Sequence, residues 1–144
     1  MKEIFIPGNT PSSKNSKIAT SRGVFSSKTV ARYLRSLGIQ HFSSSRKIVK
    51  EYAATDRPNL FREAFGDWVK PDKQVVIGFH FVRGSKHKFD FGNACQIIHD
   101  LMSAHDFIED DNMDYLVPMP YKKKNLWYTY NKECPGVYIK IIKK

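Results

Sequence analysis

Seven acids of this chain fall where they could do chemistry together: Asp90, Asp100, Asp106, Glu109, Asp110, Asp111 and Asp114. They lie in the 33 residues from Phe89 to Tyr121, a stretch without a single Lys or Arg. The chain has 14 acids in all, against 24 Lys and Arg, and a formal net charge of +10. A surplus of that size suits a polyanion, usually nucleic acid, because neutralising phosphates releases counterions. Concentrated carboxylates work against such binding, since they repel one another and the phosphates. A hard divalent cation reconciles the two, because Mg²⁺ prefers carboxylate oxygens and bridges them to phosphate. A basic body with one acidic insert therefore has the charge pattern of a metal-dependent phosphodiesterase. The alternative is an acidic helix with its capping loop, turned to solvent.

The elements that must position these acids follow from pattern. Gln74–Arg83 is apolar on both faces and predicts a central strand. A basic turn, Gly84–Lys88, leads to Asp90. The segment Asn93–Asp106 then predicts a helix, with Ala94, Ile97, Ile98, Leu101, Met102 and His105 as its core stripe. Asn93, Gln96, Asp100 and Ser103 fall on its polar side. Asp90 stands where an aspartate caps a helix N-terminus. About 14 helical residues, roughly 20 Å of rise, separate it from Glu109–Asp110–Asp111. Only a following strand that turned back along the sheet would bring these acids beside Asp90. Elsewhere, Lys2–Pro7 reads as a first strand and Gly8–Arg22 as a polar, breaker-rich loop that could close over a ligand. Gly23–Ser26 is a short extended piece, and the next helix starts at Ser27 or Thr29 and runs to Leu37. His41–Lys50 reads as a loop or the start of a helix. A second amphipathic helix follows Arg57–Pro58 and stops before Pro71. Met113–Met119, Leu126–Tyr130 and Val137–Ile142 are strand candidates. The class this implies is α+β, a single domain over residues 1–144 with a mixed β-sheet packed by two to three helices.

Composition narrows the function classes. At 144 residues, 41% hydrophobic and 26% charged, the chain has room for one compact core and no composition typical of disorder or coiled coil. No apolar run approaches a membrane span, and the N-terminal segment is too short in its apolar part for a signal peptide. Two cysteines, Cys95 and Cys134, predict a reducing, cytoplasmic setting without a disulfide framework. The five histidines show no spacing suited to zinc, and His99 and His105 read as helix-packing residues. No phosphate-binding loop, dinucleotide fingerprint or nucleophile elbow is present, so no small-molecule cofactor is expected.

The stretch Asp90–Asp111 resembles the core motif of the RusA family of Holliday-junction resolvases, metal-dependent endonucleases usually encoded by phages and prophages. That motif is an Asp-x-Asp-Asn pair, a Lys four residues after the second Asp, a helix containing Asp-Ala-Leu, and an Asp-Asp pair before a strand. Asp90 matches the first acid, Asn93 the Asn, Asp100–Leu101 the helical Asp region and Asp110–Asp111 the final pair, without a gap. Upstream, Pro7–Gly8 and Pro11–Ser16 resemble the family's first strand and Pro-Ser-Lys-Asn loop, and Val24–Lys28 the extended piece before its first helix. Gly92 stands where the family has its second Asp, and Gln96 where it has its Lys.

The resemblance implies a Mg²⁺-dependent, structure-specific endonuclease that hydrolyses phosphodiester bonds in branched DNA and works as a homodimer in recombination and repair. Asp90 and Asp111, helped by Asp110, would hold one or two Mg²⁺ ions, with Mn²⁺ a possible substitute. Asn93 and Gln96 would orient a water or phosphate oxygen, and Asp100 or Asp110 would stand in for the acid missing at Gly92. Lys14, Arg22, Arg83, Lys86, His87 and Lys88 would grip phosphates flanking the site. Lys122–Lys124 with Trp127, Tyr128 and Tyr130 would extend that surface, unless these aromatics are half-buried strand residues. The departures at Gly92 and Gln96 support a second expectation, a nucleic-acid-binding module that keeps the fold without cleavage. A third is a protein that meets a basic partner through its acidic stretch.

Overall fold

A nine-residue strand, Val75–Arg83 (β6), organises the molecule. In the computed structural model, which describes residues 3–12, 17–20, 23–26, 28–42, 48–51, 58–110 and 112–143, it is the hub of the main sheet. Before it come β1 (Ile4–Pro7), β2 (Lys17–Thr20), β3 (Gly23–Ser26), α1 (Lys28–Ser36), β4 (Ile39–Phe42), β5 (Ile48–Glu51) and α2 (Leu60–Phe65). After it come α3 (Phe91–Ala104), β7 (Leu116–Pro120), β8 (Thr129–Tyr130) and β9 (Gly136–Lys143). The main sheet runs β1-β9-β6-β7, with β8 continuing along β6 past the end of β7. β9 is antiparallel to both β1 and β6, whereas β7 and β8 are parallel to β6. The result is an α+β domain with a five-stranded mixed sheet and three helices.

The centrality of β6 follows from its sequence, since a strand apolar on both faces needs cover on both. Val75, Ile77, Phe79 and Phe81 point into the main core with Ala94, Ile97, Ile98, Leu101 and Met102 of α3. Parallel pairing of β6 with β7 requires a long crossover, and α3 is that crossover. Its predicted core stripe is buried throughout, His105 included. The His105 Nδ1–H donates to the Leu101 carbonyl (2.7 Å), which leaves Nε2 to accept from Asn59 Nδ2 (2.9 Å). The α2 segment is shorter than the pattern suggested. Asn59 caps it by accepting from the Arg62 N–H (2.9 Å), and Gly66 ends it at φ 53°.

Hairpins lie where the sequence predicted a loop followed by a short extended piece, Gly8–Arg22 and Gly23–Ser26, and a loop or the start of a helix, His41–Lys50. Lys17–Thr20 pairs antiparallel with Gly23–Ser26, Thr20 opposite Gly23, so only Ser21 and Arg22 connect them. Ile39–Phe42 pairs with Ile48–Glu51 in the same sense, with register shifts on either side of His41. Small, polar and basic residues hid the period of two in both. The expected strand Leu126–Tyr130 shrinks to Thr129–Tyr130, because residues 123–126 form a turn instead. Among the described residues, no helix is long and apolar enough to cross a membrane.

Candidate nucleic-acid interface

Asp90 does what its local sequence allows. It is extended (φ −107°, ψ 118°) and its Oδ1 accepts from the Asn93 N–H at 3.0 Å, capping α3. The helix N-terminus carries partial positive charge, so a carboxylate there is favoured. An added Cβ at Gly92 would meet only Asp90 Oδ1, at 3.2 Å, so a side chain at that position would emerge directly beside the cap. Cys95, one turn on, is buried, and burial pushes its thiol pKa up, with the Asp90 charge adding to the shift. It is a small apolar filler rather than a reactive thiolate.

The N-terminal loop closes over this end of the sheet. Asn9 Oδ1 accepts from the Gly84 N–H (2.9 Å), the Thr10 carbonyl from Arg83 Nη1 (2.6 Å) and the Ser12 carbonyl from Asn93 Nδ2 (3.1 Å). Three residues of one loop are thus tied to the exit of β6 and the start of α3. Asn93, expected to orient a water or phosphate oxygen, spends its amide on the loop. Gln96 is exposed and donates to Asp100 Oδ1 (2.9 Å), one turn along. Asp100 was expected on a polar face, yet it is only 7% exposed.

Arg83 is the most informative of the expected phosphate ligands. It is 6% exposed, and its guanidinium lies over the Phe89 ring, 4.7 Å from the centroid. Its Nε has no hydrogen-bond partner among the described residues, and no described carboxylate pairs with it. Burial holds its pKa below the usual arginine value. Nearby Tyr33 is buried too, which raises its phenol to about 12, so it is neutral and brings no countercharge. Among the described residues this buried cation is held by one carbonyl and one ring, neither of which balances its charge. Lys86, His87 and Lys88 are exposed on the adjoining turn. Lys14, Arg22 and Asp111 lie outside the described residues.

Among the described residues, the expected metal ligands Asp90 and Asp110 do not converge within one chain. Asp90 follows the C-terminal end of β6, held there by Phe89 and Phe91 against Phe81. Glu109 pairs with Lys70 (2.8 Å), and Tyr115 accepts from the Val75 N–H (3.0 Å), which sets Asp110 at the N-terminal end of the same strand. The 14-residue α3, about 20 Å long, lies between the two. A parallel crossover makes this separation unavoidable, because α3 returns the chain to the start of the sheet before β7 begins. Asp110 accepts from Asn112 Nδ2 (3.2 Å) in the loop before β7. Among the described residues, no three His, Cys, Asp or Glu are grouped so as to hold a metal ion. Asp90 and Asp110 of one chain therefore do not fit a shared Mg²⁺ centre.

Compared with known proteins, the chain matches no family model and no curated protein.

The structure also brings forward residues that the motif did not single out. Phe89 supports Arg83, and its ring meets Tyr128 edge-on at 4.9 Å. His80, at the centre of β6, donates from Nδ1 to the Tyr121 carbonyl (2.8 Å) and so accepts at Nε2 from Thr129 Oγ1 (3.1 Å). One neutral imidazole thereby ties the end of β7 to β8. The only signal of these roles in sequence is the aromatic character of KFDF and the polar His inside an apolar strand.

Proposed function

We propose that the protein binds branched DNA at the C-terminal end of β6, as a RusA-like, Mg²⁺-dependent endonuclease acting in the cytoplasm as a homodimer. The observation that carries the DNA-binding part is Arg83, a buried guanidinium with no carboxylate partner among the described residues, beside exposed Lys86, His87 and Lys88. A phosphate gripped by the exposed Lys86, His87 and Lys88 would bring negative charge up to Arg83, whose Nη1 is already spent on the Thr10 carbonyl. Asp90 borders this basic surface, where a scissile phosphate would lie once its neighbours are gripped.

Since Asp90 and Asp110 of one chain stand at opposite ends of α3, the cleavage reading requires two chains. A two-fold axis that sets one α3 against its partner in the opposite sense would bring Asp90 of one chain to Asp110 and Asp111 of the other, twice over. A divalent ion held there would supply a nucleophilic hydroxide and neutralise charge on the phosphate. The chain's own residues would grip the flanking backbone and fix Asp90 through the α3 cap. Paired sites of this kind suit a four-way junction, which has symmetric strands to cut. Incubating a four-way junction with the protein and Mg²⁺, beside Asp111→Asn, tests the reading. Nicking lost in the variant supports it. Tight, salt-sensitive binding without nicking leaves a binding module, and no binding of any DNA overturns both.

A further inference from the structure

The segment after β7 turns tightly at Lys123–Leu126, where each residue's N–H donates to the other's carbonyl at 3.0 Å. Lys124 and Asn125 occupy the two central positions with φ 52° and 64°, the left-handed pair that a two-residue hairpin turn needs. Just outside this turn, the Lys122 ammonium stands 4.9 Å from the Trp127 ring centroid. Lys86 stands 5.3 Å from the Tyr130 ring centroid. Tyr128 lies between them, edge-on to the Phe89 ring that carries Arg83. Trp127, Tyr128 and Tyr130 are nonetheless 56%, 53% and 45% exposed. Residues 121–132 include four Lys and no acid.

Three rings within four residues of one another, each about half in water, make an exposed apolar surface of the kind that marks interaction sites. Glu3 takes up Lys123 (2.7 Å), but among the described residues no carboxylate pairs with Lys86 or Lys122, and rings interleaved with such cations fit a partner that is both flat and anionic. Duplex backbone offers the charge without the flat faces, whereas unpaired nucleotides offer both. We propose that Trp127, Tyr128 and Tyr130 form a platform on which unpaired bases stack, Lys86 and Lys122 holding the adjoining phosphates. This rests on the DNA-binding reading above and gives it a substrate feature: bases freed where a branched duplex opens, taken up next to Asp90. Binding of a short oligothymidylate single strand, its paired duplex and a four-way junction, all in EDTA so that nothing is cut, tests it. The single strand quenches tryptophan fluorescence in the native protein, and Trp127→Ala abolishes the quench. The same change weakens single-strand binding about 5- to 100-fold, and leaves duplex affinity within about twofold. Val69→Ser, on the exposed loop before β6, changes neither. If Trp127→Ala, still folded by circular dichroism, binds the single strand as the native protein does, the platform is wrong while DNA binding stands. If none of the three DNAs binds, the functional reading falls and takes the platform with it.

Discussion

Both ends of α3 carry a cluster of aromatic rings, and the two clusters are used in opposite ways. At the C-terminal end, Phe65 stacks on Phe107 (4.3 Å between centroids, 13° apart), and Phe61 and His105 close the group. Trp68 donates its indole N–H to the Phe107 carbonyl at 2.9 Å. Phe61 and Phe65 are wholly buried, and the charges nearby are paired outward, Lys70 with Asp106 and Glu109. At the N-terminal end the rings face solvent, and each of Trp127 and Tyr130 has a lysine against it. The same residue types make a core plug at one end and a charged surface at the other. What differs is the counterpart: carboxylates satisfy Lys70 at one end, whereas no described carboxylate pairs with Arg83 at the other.

Breaking each end should therefore have different consequences. Phe65→Ala removes a fully buried ring and should destabilise the fold by about 3–5 kcal/mol in thermal or denaturant unfolding. Trp127→Ala should leave unfolding within about 0.5 kcal/mol of native while weakening single-strand binding. A stability loss at Trp127 comparable to that at Phe65 would show that the exposed rings are core after all.

Asp90 separates cap from chemistry. Asp90→Ala should cost about 1 kcal/mol by orphaning the Asn93 N–H, whereas Asp90→Asn, an equally good cap, should cost only a few tenths. Both should abolish junction nicking. Cleavage that survives in Asp90→Asn would confine this residue to the helix terminus. Gly92→Asp sharpens the same contrast, because it sets a second carboxylate next to Asp90 and should lower the Mg²⁺ concentration needed for half-maximal nicking.

A smaller effect is expected from pH. Burial lowers the pKa of His80, so its folded-state value lies beneath the ordinary 6.5 of an unfolded chain. The fold then gains its full benefit above about pH 6.5 and loses it as pH falls from there toward the folded pKa. Protonation also removes the acceptor for Thr129 Oγ1, loosening β8. Native protein should melt at a progressively lower temperature below pH 6.5, and His80→Gln should flatten that dependence. The smallest effect belongs to Lys70. Asp106 and then Glu109 hold its pKa above the ordinary lysine value. On a side chain 33% exposed this contribution is present at neutral pH, is lost as pH rises through the folded pKa, and is screened by salt. Lys70→Ala should lower Tm less than Asp90→Ala does, with the difference vanishing at high ionic strength.

The strand–helix–strand unit was the part most legible in sequence. An apolar run on both faces and a clean 3.6-residue stripe left β6 and α3 little choice, and the cap at Asp90 was readable from its place between them. Of the two hairpins only the extended piece Gly23–Ser26 was legible; its partner Lys17–Thr20 and the pair Ile39–Phe42 and Ile48–Glu51 were not, because polar and basic residues interrupt any period of two. Asp100 escaped for a different reason. Periodicity put it among polar neighbours, but the fold around α3 buries nearly every side of that helix. The placement of the acids depended on the direction of the strand after α3, which no local pattern encodes. Parallel pairing of β7 with β6 settles it and sends Asp90 and Asp110 to opposite ends.

Subunit complementation addresses the shared carboxylate site most directly. Asp90→Asn protein and an Asp110→Asn/Asp111→Asn double variant are each expected to be inactive on a four-way junction with Mg²⁺. If each site draws Asp90 from one chain and the Asp pair from the other, mixed dimers contain one intact site and one with both partners altered, so remixing the two inactive proteins restores nicking. Continued inactivity, with subunit exchange verified, would contradict a site shared between chains.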